Sequence, residues 1–186
     1  LRVGDLAGRV IVVLLLPQVL SIVEGAPGDR RRYLDLALSQ VDPAYQAALG
    51  EYAKVLSQRN ALLKQLQERG GQADQLEFWD GKLCELAGGL MAARIAALAE
   101  LEALAAPANG QLGLPLPVPV HQVGLSAAEI ETRLAARLRA CRAEEISRGA
   151  TLYGPHRDEI RFIANGLDVG AYGSRGLART AVLALK

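Results

Sequence analysis

The chain has 186 residues, 51% hydrophobic and 22% charged, with 21 Lys and Arg against 20 Asp and Glu. That is material for one domain or one and a half. A net charge of +1 neither demands nor excludes nucleic acid, so any DNA surface must come from local clustering of charge. Aromatic residues are only 4% of the chain, and the dominance of alanine and leucine favours long helices over a β-sandwich.

Arg9 to Pro17 reads as a short strand buried on both faces: β-branched, apolar and closed by proline. Its core, Val10 to Leu16, is far too short to span a bilayer, which takes about 20 residues. No small-residue cleavage site follows it, so a signal peptide is not expected. A loop at Gly25-Ala-Pro-Gly28 then leads to Asp29, read as the N-cap of a helix running to about Val41. Asp42-Pro43 breaks that helix and starts another, from about 43 to 69. Its apolar positions Tyr45, Leu49, Tyr52, Leu56, Leu63 and Leu66 form a heptad-like seam with Arg59 as the single interruption.

Gly70-Gly71 stops this helix, and a second long one is expected from about 72 to 105. Its predicted seam is Leu76, Trp79, Leu83, Leu86, Leu90, Ala93, Ala97 and Leu104, with Trp79 in the core. The two seams define an antiparallel hairpin with arms of about 40–50 Å at 1.5 Å per residue. Leu114-Pro-Leu-Pro-Val-Pro-Val120 follows. Its alternating prolines remove donors from one side of a strand, so an edge strand or an extended polyproline-like crossing is expected near 112–120. Ser126, with Glu129 three residues on, makes a capping box for a helix to about Ser147. Ile130, Leu134, Leu138 and Cys141 face inward, and Gly149 ends it. Ala150 to Tyr153 reads as a short strand, Ile160 to Ile163 as a second, and Asn165-Gly166 as a hairpin turn.

Two segments carry candidate chemistry. In Tyr172-Gly-Ser174-Arg175-Gly176-Leu-Ala-Arg179-Thr180, a serine flanked by glycines opens a helix. Unpaired N–H groups at a helix start suit a phosphate, and Arg175 and Arg179 add donors. The plain alternative is an ordinary helix cap. Gly154-Pro155-His156-Arg157-Asp158-Glu159 reads as an exposed polar turn. His156 is a candidate for titration near neutrality and Arg157 for pairing with phosphate or carboxylate. The alternative is a charged turn held by Arg–Asp contacts. Arg30-Arg31-Arg32 is a basic cluster at a helix start, where cations oppose the dipole, and is a candidate DNA or phosphate contact. Cys84 and Cys141 lack both disulfide-framework and zinc spacing and read as small buried hydrophobes of a reducing, cytoplasmic compartment. No metal cluster is apparent.

Together these segments resemble the RecF family. In that family a Gly-Pro-His-Arg-Asp-acidic element precedes a Ser-Gln-Gly-Gln-type signature by about 20 residues, the interval from Gly154 to Ser174. Upstream, Leu16-Pro17-Gln18-Val19-Leu20, Gly25-Ala-Pro, Arg31-Arg32-Tyr33-Leu34-Asp35, Leu38-Ser-Gln-Val-Asp-Pro-Ala-Tyr45 and Arg59-Asn60-Ala-Leu-Leu-Lys64 also match it. The resemblance covers nearly the whole chain.

It implies a mainly α fold with a small β part: a helical lobe, 29–148, on a partial ABC-type α/β ATPase head made from segments 1–28 and 149–186. It implies ATP and Mg in the parent protein, an ATP-dependent homodimer, gapped DNA with single/double-strand junctions, and RecO and RecR as partners in RecA loading. Ser174, Arg175, Gly176 and Arg179 would meet ATP in trans, and Gln18 would lie in the nucleotide-sensing loop. The family's signature glutamines are replaced by Arg175, Leu177 and Ala178, and Gln18 stands where glutamate is usual. No Gly-x4-Gly-Lys-Ser/Thr occurs in the chain. Both ends read as cut, with the family's phosphate-binding loop upstream and its magnesium carboxylates downstream. The chain alone is therefore expected not to hydrolyse ATP. Two other readings stand beside this one: a non-enzymatic helical scaffold with a partner-binding hairpin, and a stand-alone phosphate-binding module at Ser174.

Overall fold

A computed structural model of the chain describes residues 25–112, 125–161, 163–164, 167–168 and 171. The expected strand at 9–17, Gln18, the proline crossing beyond residue 112 and the signature from Gly173 to Thr180 lie outside them. Among the described residues the fold is mainly α with a small β part, as expected. The helices are α1 (Pro27–Val41), α2 (Pro43–Arg69), α3 (Leu76–Leu112) and α4 (Ala127–Arg148). The strands β1 (Ile163–Ala164) and β2 (Leu167–Asp168) pair antiparallel with Ile163 opposite Asp168, the register expected of a hairpin here. No helix among the described residues is long and apolar enough to cross a membrane.

Helix boundaries follow local chemistry. α1 starts two residues before Asp29. Pro27 occupies the first turn, where its missing N–H costs nothing, and Asp29 reaches back so that its carboxylate accepts the Ala26 N–H at 3.1 Å. Asp29 is thus the acidic partner of the cap rather than the cap itself. Asp42-Pro43 separates α1 from α2 as expected. α2 ends where the Gly70 N–H bonds the Leu66 carbonyl and Gly70 turns to φ +71°, a conformation glycine adopts without a Cβ penalty. A 3-10 turn, Ala73–Gln75, precedes α3, so that helix starts later than expected. It also runs through Pro107 to Leu112, seven residues further than expected. Alanine and leucine are the strongest helix formers, and the sequence around Pro107 is rich in both. α4 carries the full Ser126/Glu129 capping box and Gly149 as C-cap, both as expected.

Contacts divide these residues into two compact units, each described by itself. The first holds the described residues up to Pro43, those of α3 from Arg94 on, and those from Asp158 on. Its core is Leu34 of α1, Leu98 of α3 and Ile160, with Leu38 and Ala97 against them. The second holds the described residues 44–93 and 125–157. There Leu66 packs with Leu76 beside the glycine link, and Arg59 meets Asp80 further along, the order of an antiparallel hairpin. Ile130, Leu134, Leu138 and Cys141 of α4 are buried, as expected.

The buried stripe of α3 is Leu76, Asp80, Leu83, Ala87, Leu90, Arg94 and Leu98. It is rotated one position from the predicted seam at Trp79, Leu86, Ala93 and Ala97. Asp80 takes the inward place because it meets Arg59. Trp79 is consequently only half-buried, edge-on to Phe78 at 5.1 Å, and Phe78 is 66% exposed.

The glycines of α3 give a paired prediction. A Cβ at Gly81 or Gly89 would meet nothing within 4 Å, whereas one at Gly88 would sit 2.6 Å from the Ala127 carbonyl oxygen of α4. Gly81→Ala and Gly89→Ala are each expected to stabilise the protein by about 0.5–1 kcal/mol. Gly88→Ala is expected to destabilise it by about 1–3 kcal/mol, since the obstacle is backbone. Urea-unfolding midpoints of the three variants check the opposite signs.

Candidate functional site: the Gly-Pro-His-Arg-Asp element and its anchors

The element from Gly154 to Glu159 contributes residues to both units, and each unit holds a buried arginine near its share: in the first unit it binds the element directly, and in the second it binds Thr151, which leads into it. In the second unit the anchor is Arg59 of α2, with 0% of its surface exposed. Its Nε donates to Asp80 Oδ1 at 2.8 Å, its Nη1 to Thr151 Oγ1 at 2.8 Å and its Nη2 to Glu145 Oε2 at 2.7 Å. A guanidinium presents its donors in a fixed planar fork, so three acceptors from three elements fix its orientation. Burial works to lower the pKa of Arg59. The hydrogen bond it donates to Glu145 and the charges of Asp80 and Glu145 outweigh it, and the guanidinium stays charged. Arg142 of α4 shares Asp80, at 3.0 Å. Arg59, the supposed flaw in the α2 seam, is therefore the centre of the unit.

This network shapes the residues entering the element. The Thr151 N–H and hydroxyl both donate to Asn60 Oδ1, at 2.8 and 2.7 Å, and the Leu152 N–H donates to Glu145 Oε1 at 2.7 Å. Side-chain acceptors take the donors a strand would use, so Ala150–Tyr153 is irregular rather than the expected strand. Gly154 follows at φ +134°, then a 3-10 turn, Pro155–Arg157, closed by the Arg157 N–H on the Gly154 carbonyl at 2.8 Å.

Gly154 and Pro155 are buried, His156 is half-buried and Arg157 is exposed, so the element is not the exposed turn expected. Its first half is pulled inward by His156, which bonds at both ring nitrogens. Nε2 lies 3.2 Å from the Thr151 carbonyl oxygen and Nδ1 lies 2.7 Å from Tyr52 Oη. A carbonyl oxygen only accepts, so Nε2 carries the proton, while the short Nδ1–Tyr52 Oη contact is one hydrogen bond whose direction follows the charge of the ring. At the α4 face Arg137 lies over the Tyr153 ring, 4.3 Å from its centre.

In the first unit the anchor is Arg94 of α3, 5% exposed. Its Nη2 donates to both carboxylate oxygens of Asp35 on α1, at 2.8 and 3.1 Å, and its Nη1 to Asp158 Oδ2 at 2.9 Å. The basic cluster joins in. Arg30 donates to Glu159 Oε1 at 3.0 Å and to the Gly25 carbonyl at 2.9 Å, while Arg31 donates to the Asp158 carbonyl oxygen. Arg32 is exposed. Of the three arginines singled out in the sequence, two are thus bound to the acidic end of the element.

Sequence reasoning missed Arg94 and the role of Arg59. The signal was there in part, since each is a charged residue on a mostly apolar helix stripe. Among the described residues no group of three His, Cys, Asp or Glu is placed to hold a metal ion.

The cysteines are buried and free. Burial first and the Asp80 charge second push the Cys84 thiol from an ordinary 9.0 up to about 12. Burial and Glu145 push Cys141 up to about 11. Neither thiolate forms at neutral pH, so neither cysteine is expected to react with a disulfide reagent in the folded protein, and both should react once urea unfolds it. Because these values are raised on folding, the unfolded chain releases the thiol protons first. Stability should therefore fall as pH rises from about 9 through about 12.

The element order, with a long helical hairpin followed by a short β-hairpin, is shared with known structures, and that likeness gives the class: the helical portion of an ABC-ATPase-like protein. No protein-family model matches the chain. It is 40% identical over 198 residues to the DNA replication and repair protein RecF of Roseiflexus castenholzii and 43% identical over 199 residues to that of Chloroflexus aggregans. In both cases the match takes in 100% of this chain and 50% of the relative. RecF of Heliobacterium modesticaldum is 41% identical over 196 residues. Two solved structures of the recombination mediator protein RecF in the RecFOR pathway, with ATPrS and with ATP, superpose at TM-scores of 0.90 and 0.89. Both are 31% identical, covering 98% and 96% of this chain and 51% and 50% of theirs. The chain belongs to the RecF family, and it spans about half the length of the curated relatives it matches.

Proposed function

We propose that this chain is the helical-lobe and signature part of a RecF protein acting in DNA replication and recombinational repair. The observation that carries this reading is the agreement, over essentially the whole chain, with RecF sequences at about 40% identity and with RecF structures at a TM-score of 0.90. Those structures hold ATP or ATPrS. On this reading segments 1–28 and 149–186 belong to the ATPase head, 29–148 to the lobe, and the protein is cytoplasmic. ATP with Mg would join two copies into a dimer on gapped DNA, with RecO and RecR as partners in loading RecA.

Within this chain, Ser174, Arg175, Gly176 and Arg179 would meet nucleotide bound to the partner copy. A hydroxyl, two guanidiniums and glycine-freed backbone N–H groups form a donor set suited to phosphate oxygens. Gln18 would lie in the nucleotide-sensing loop, and the exposed Arg32 is the best placed of Arg30, Arg31 and Arg32 to contact DNA phosphate. The parent would be a slow ABC-type ATPase. The phosphate-binding loop with its lysine is absent from these 186 residues, so the chain itself supplies only the trans half of the site.

Ser174→Arg in the full-length gene product is the test. It is expected to abolish ATP-dependent dimerisation, read by sedimentation, while single copies still bind a fluorescent ATP analogue. If dimerisation with ATP is unchanged, the signature reading fails, and a scaffold role becomes the better account of the lobe.

A further inference from the structure

With Asp80 held inward by Arg59, α3 turns Phe78 out to the surface, where it is 66% exposed. Trp79 stays half-buried beside it, edge-on at 5.1 Å. The chain has one tryptophan and two phenylalanines, so two of those three rings stand at one spot near the start of α3. A lone apolar side chain on a surface is ordinary. A fixed pair of aromatic rings is different. Rings bury a large area on binding, and Trp and Phe are enriched where proteins meet.

The rim of this spot is acidic. Lys82 and Glu85 continue the Phe78 side of the helix one and two turns on, and they neutralise each other at 3.0 Å. Asp74 and Glu77, both exposed, lie at the helix start beside the rings. Arg142 reaches Glu77 only at 3.8 Å, with its other terminal nitrogen on Asp80 at 3.0 Å. The helix dipole alone favours carboxylates at this end, but it does nothing for a ring left in water beside them.

We propose that Phe78 and Trp79 are the docking point for a basic segment of a protein partner. The stem of a lysine or arginine would lie against the exposed Phe78 ring, with its charged head toward Asp74 and Glu77. The same rim repels a polyanion, so this face of the hairpin is one that DNA avoids. Because the Arg59–Asp80 pair fixes the helix rotation, the rings are held in place before the partner arrives, which lowers the cost of ordering them on binding. This inference rests on the reading above, that the parent protein works with protein partners.

The experiment uses the full-length gene product, as wild type or carrying Phe78→Ala, Glu77→Lys or Leu36→Ser. The partners named above, RecO and RecR, and a gapped DNA duplex are each titrated against it, and the unfolding midpoint is measured alongside. Phe78→Ala is expected to weaken binding of RecO or RecR roughly tenfold or more, the scale of a central aromatic anchor. Its DNA affinity should stay within about twofold of wild type and its midpoint should barely move, because the ring is mostly in water. Glu77→Lys reverses a rim charge and should slow association several-fold, most at low salt. Leu36→Ser removes an exposed apolar side chain on α1 and should leave the complex intact.

Binding of RecO and RecR by Phe78→Ala within about twofold of wild type overturns the proposal. So does an equal loss in Leu36→Ser, which marks general surface apolarity, or a loss of DNA binding in Phe78→Ala, which makes the rings a nucleic-acid contact. If neither RecO nor RecR binds the wild-type protein, the partner reading itself falls and takes this inference with it. If wild type and Phe78→Ala bind them alike, only the inference falls.

Discussion

Exchange of Arg59 for methionine is expected to destabilise the protein by about 3–5 kcal/mol, a large fraction of a typical domain's stability. The loss comes less from the arginine's attraction than from what it would leave behind. Glu145, fully buried, would keep only its bond from the Leu152 N–H, and Asp80 would depend on Arg142 alone. A buried carboxylate without its countercharge costs several kcal/mol, whereas a well-packed apolar replacement of a whole ion cluster is often neutral. The companion variant follows from that asymmetry. Arg59→Met combined with Glu145→Gln and Asp80→Asn is expected to recover part of the stability lost in the single variant. Urea unfolding monitored by circular dichroism measures both. A single-variant loss below about 1 kcal/mol, or a triple variant worse than the single, would contradict the hub described here.

The second large effect is expected at Gly154, where alanine should cost about 2–4 kcal/mol. Two terms combine. At φ +134° a Cβ strains the backbone itself, and a Cβ built there would lie 2.7 Å from Tyr52 Oη and 3.3 Å from His156 Nδ1. The Tyr52–His156 bond occupies the space that the glycine leaves empty. A double-mutant cycle with Tyr52→Phe separates the terms. Removing the hydroxyl relieves the steric part, so the double variant should lose less than the sum of the singles. Additive losses would assign the whole cost to backbone strain, and a loss under about 0.5 kcal/mol would show that the segment relaxes freely.

Much of the helical framework was legible because its signals are local. Asp42-Pro43, Gly70-Gly71, and Ser126 with Glu129 each act within a turn or two of chain, and the helices begin or end at each of them. Side-chain placement was less legible, for a physical reason. The seam was chosen by apolarity, which favours Trp79 and Leu86 over Asp80 and Ala87, yet the helix buries the latter pair. Asp80 belongs inside only because Arg59 is there, and Arg59 because Glu145 and Thr151 are. Those partners lie 21, 86 and 92 positions away in sequence, beyond any periodicity. The same blindness made the Gly-Pro-His-Arg-Asp element look like an exposed polar turn. Polar composition signals solvent only when no buried partner is waiting. The proposed signature role of Ser174 and the proposed sensing role of Gln18 rest on motif resemblance, and both residues lie outside the described ones.

The Arg59 hub also constrains the order of events while the protein is being made. Arg59 and Asp80 can meet as soon as the α2–α3 turn has emerged from the ribosome, but Glu145 is 65 residues behind Asp80. At roughly 5–20 residues per second, synthesis takes about 3–13 s to deliver it. For that interval the nascent hairpin holds an arginine whose second countercharge does not yet exist, on a face that α4 has not yet covered. The hairpin is therefore not a finished folding unit. The arrival of α4 is the step that commits the chain, because one residue on it neutralises the arginine while its neighbours close the core.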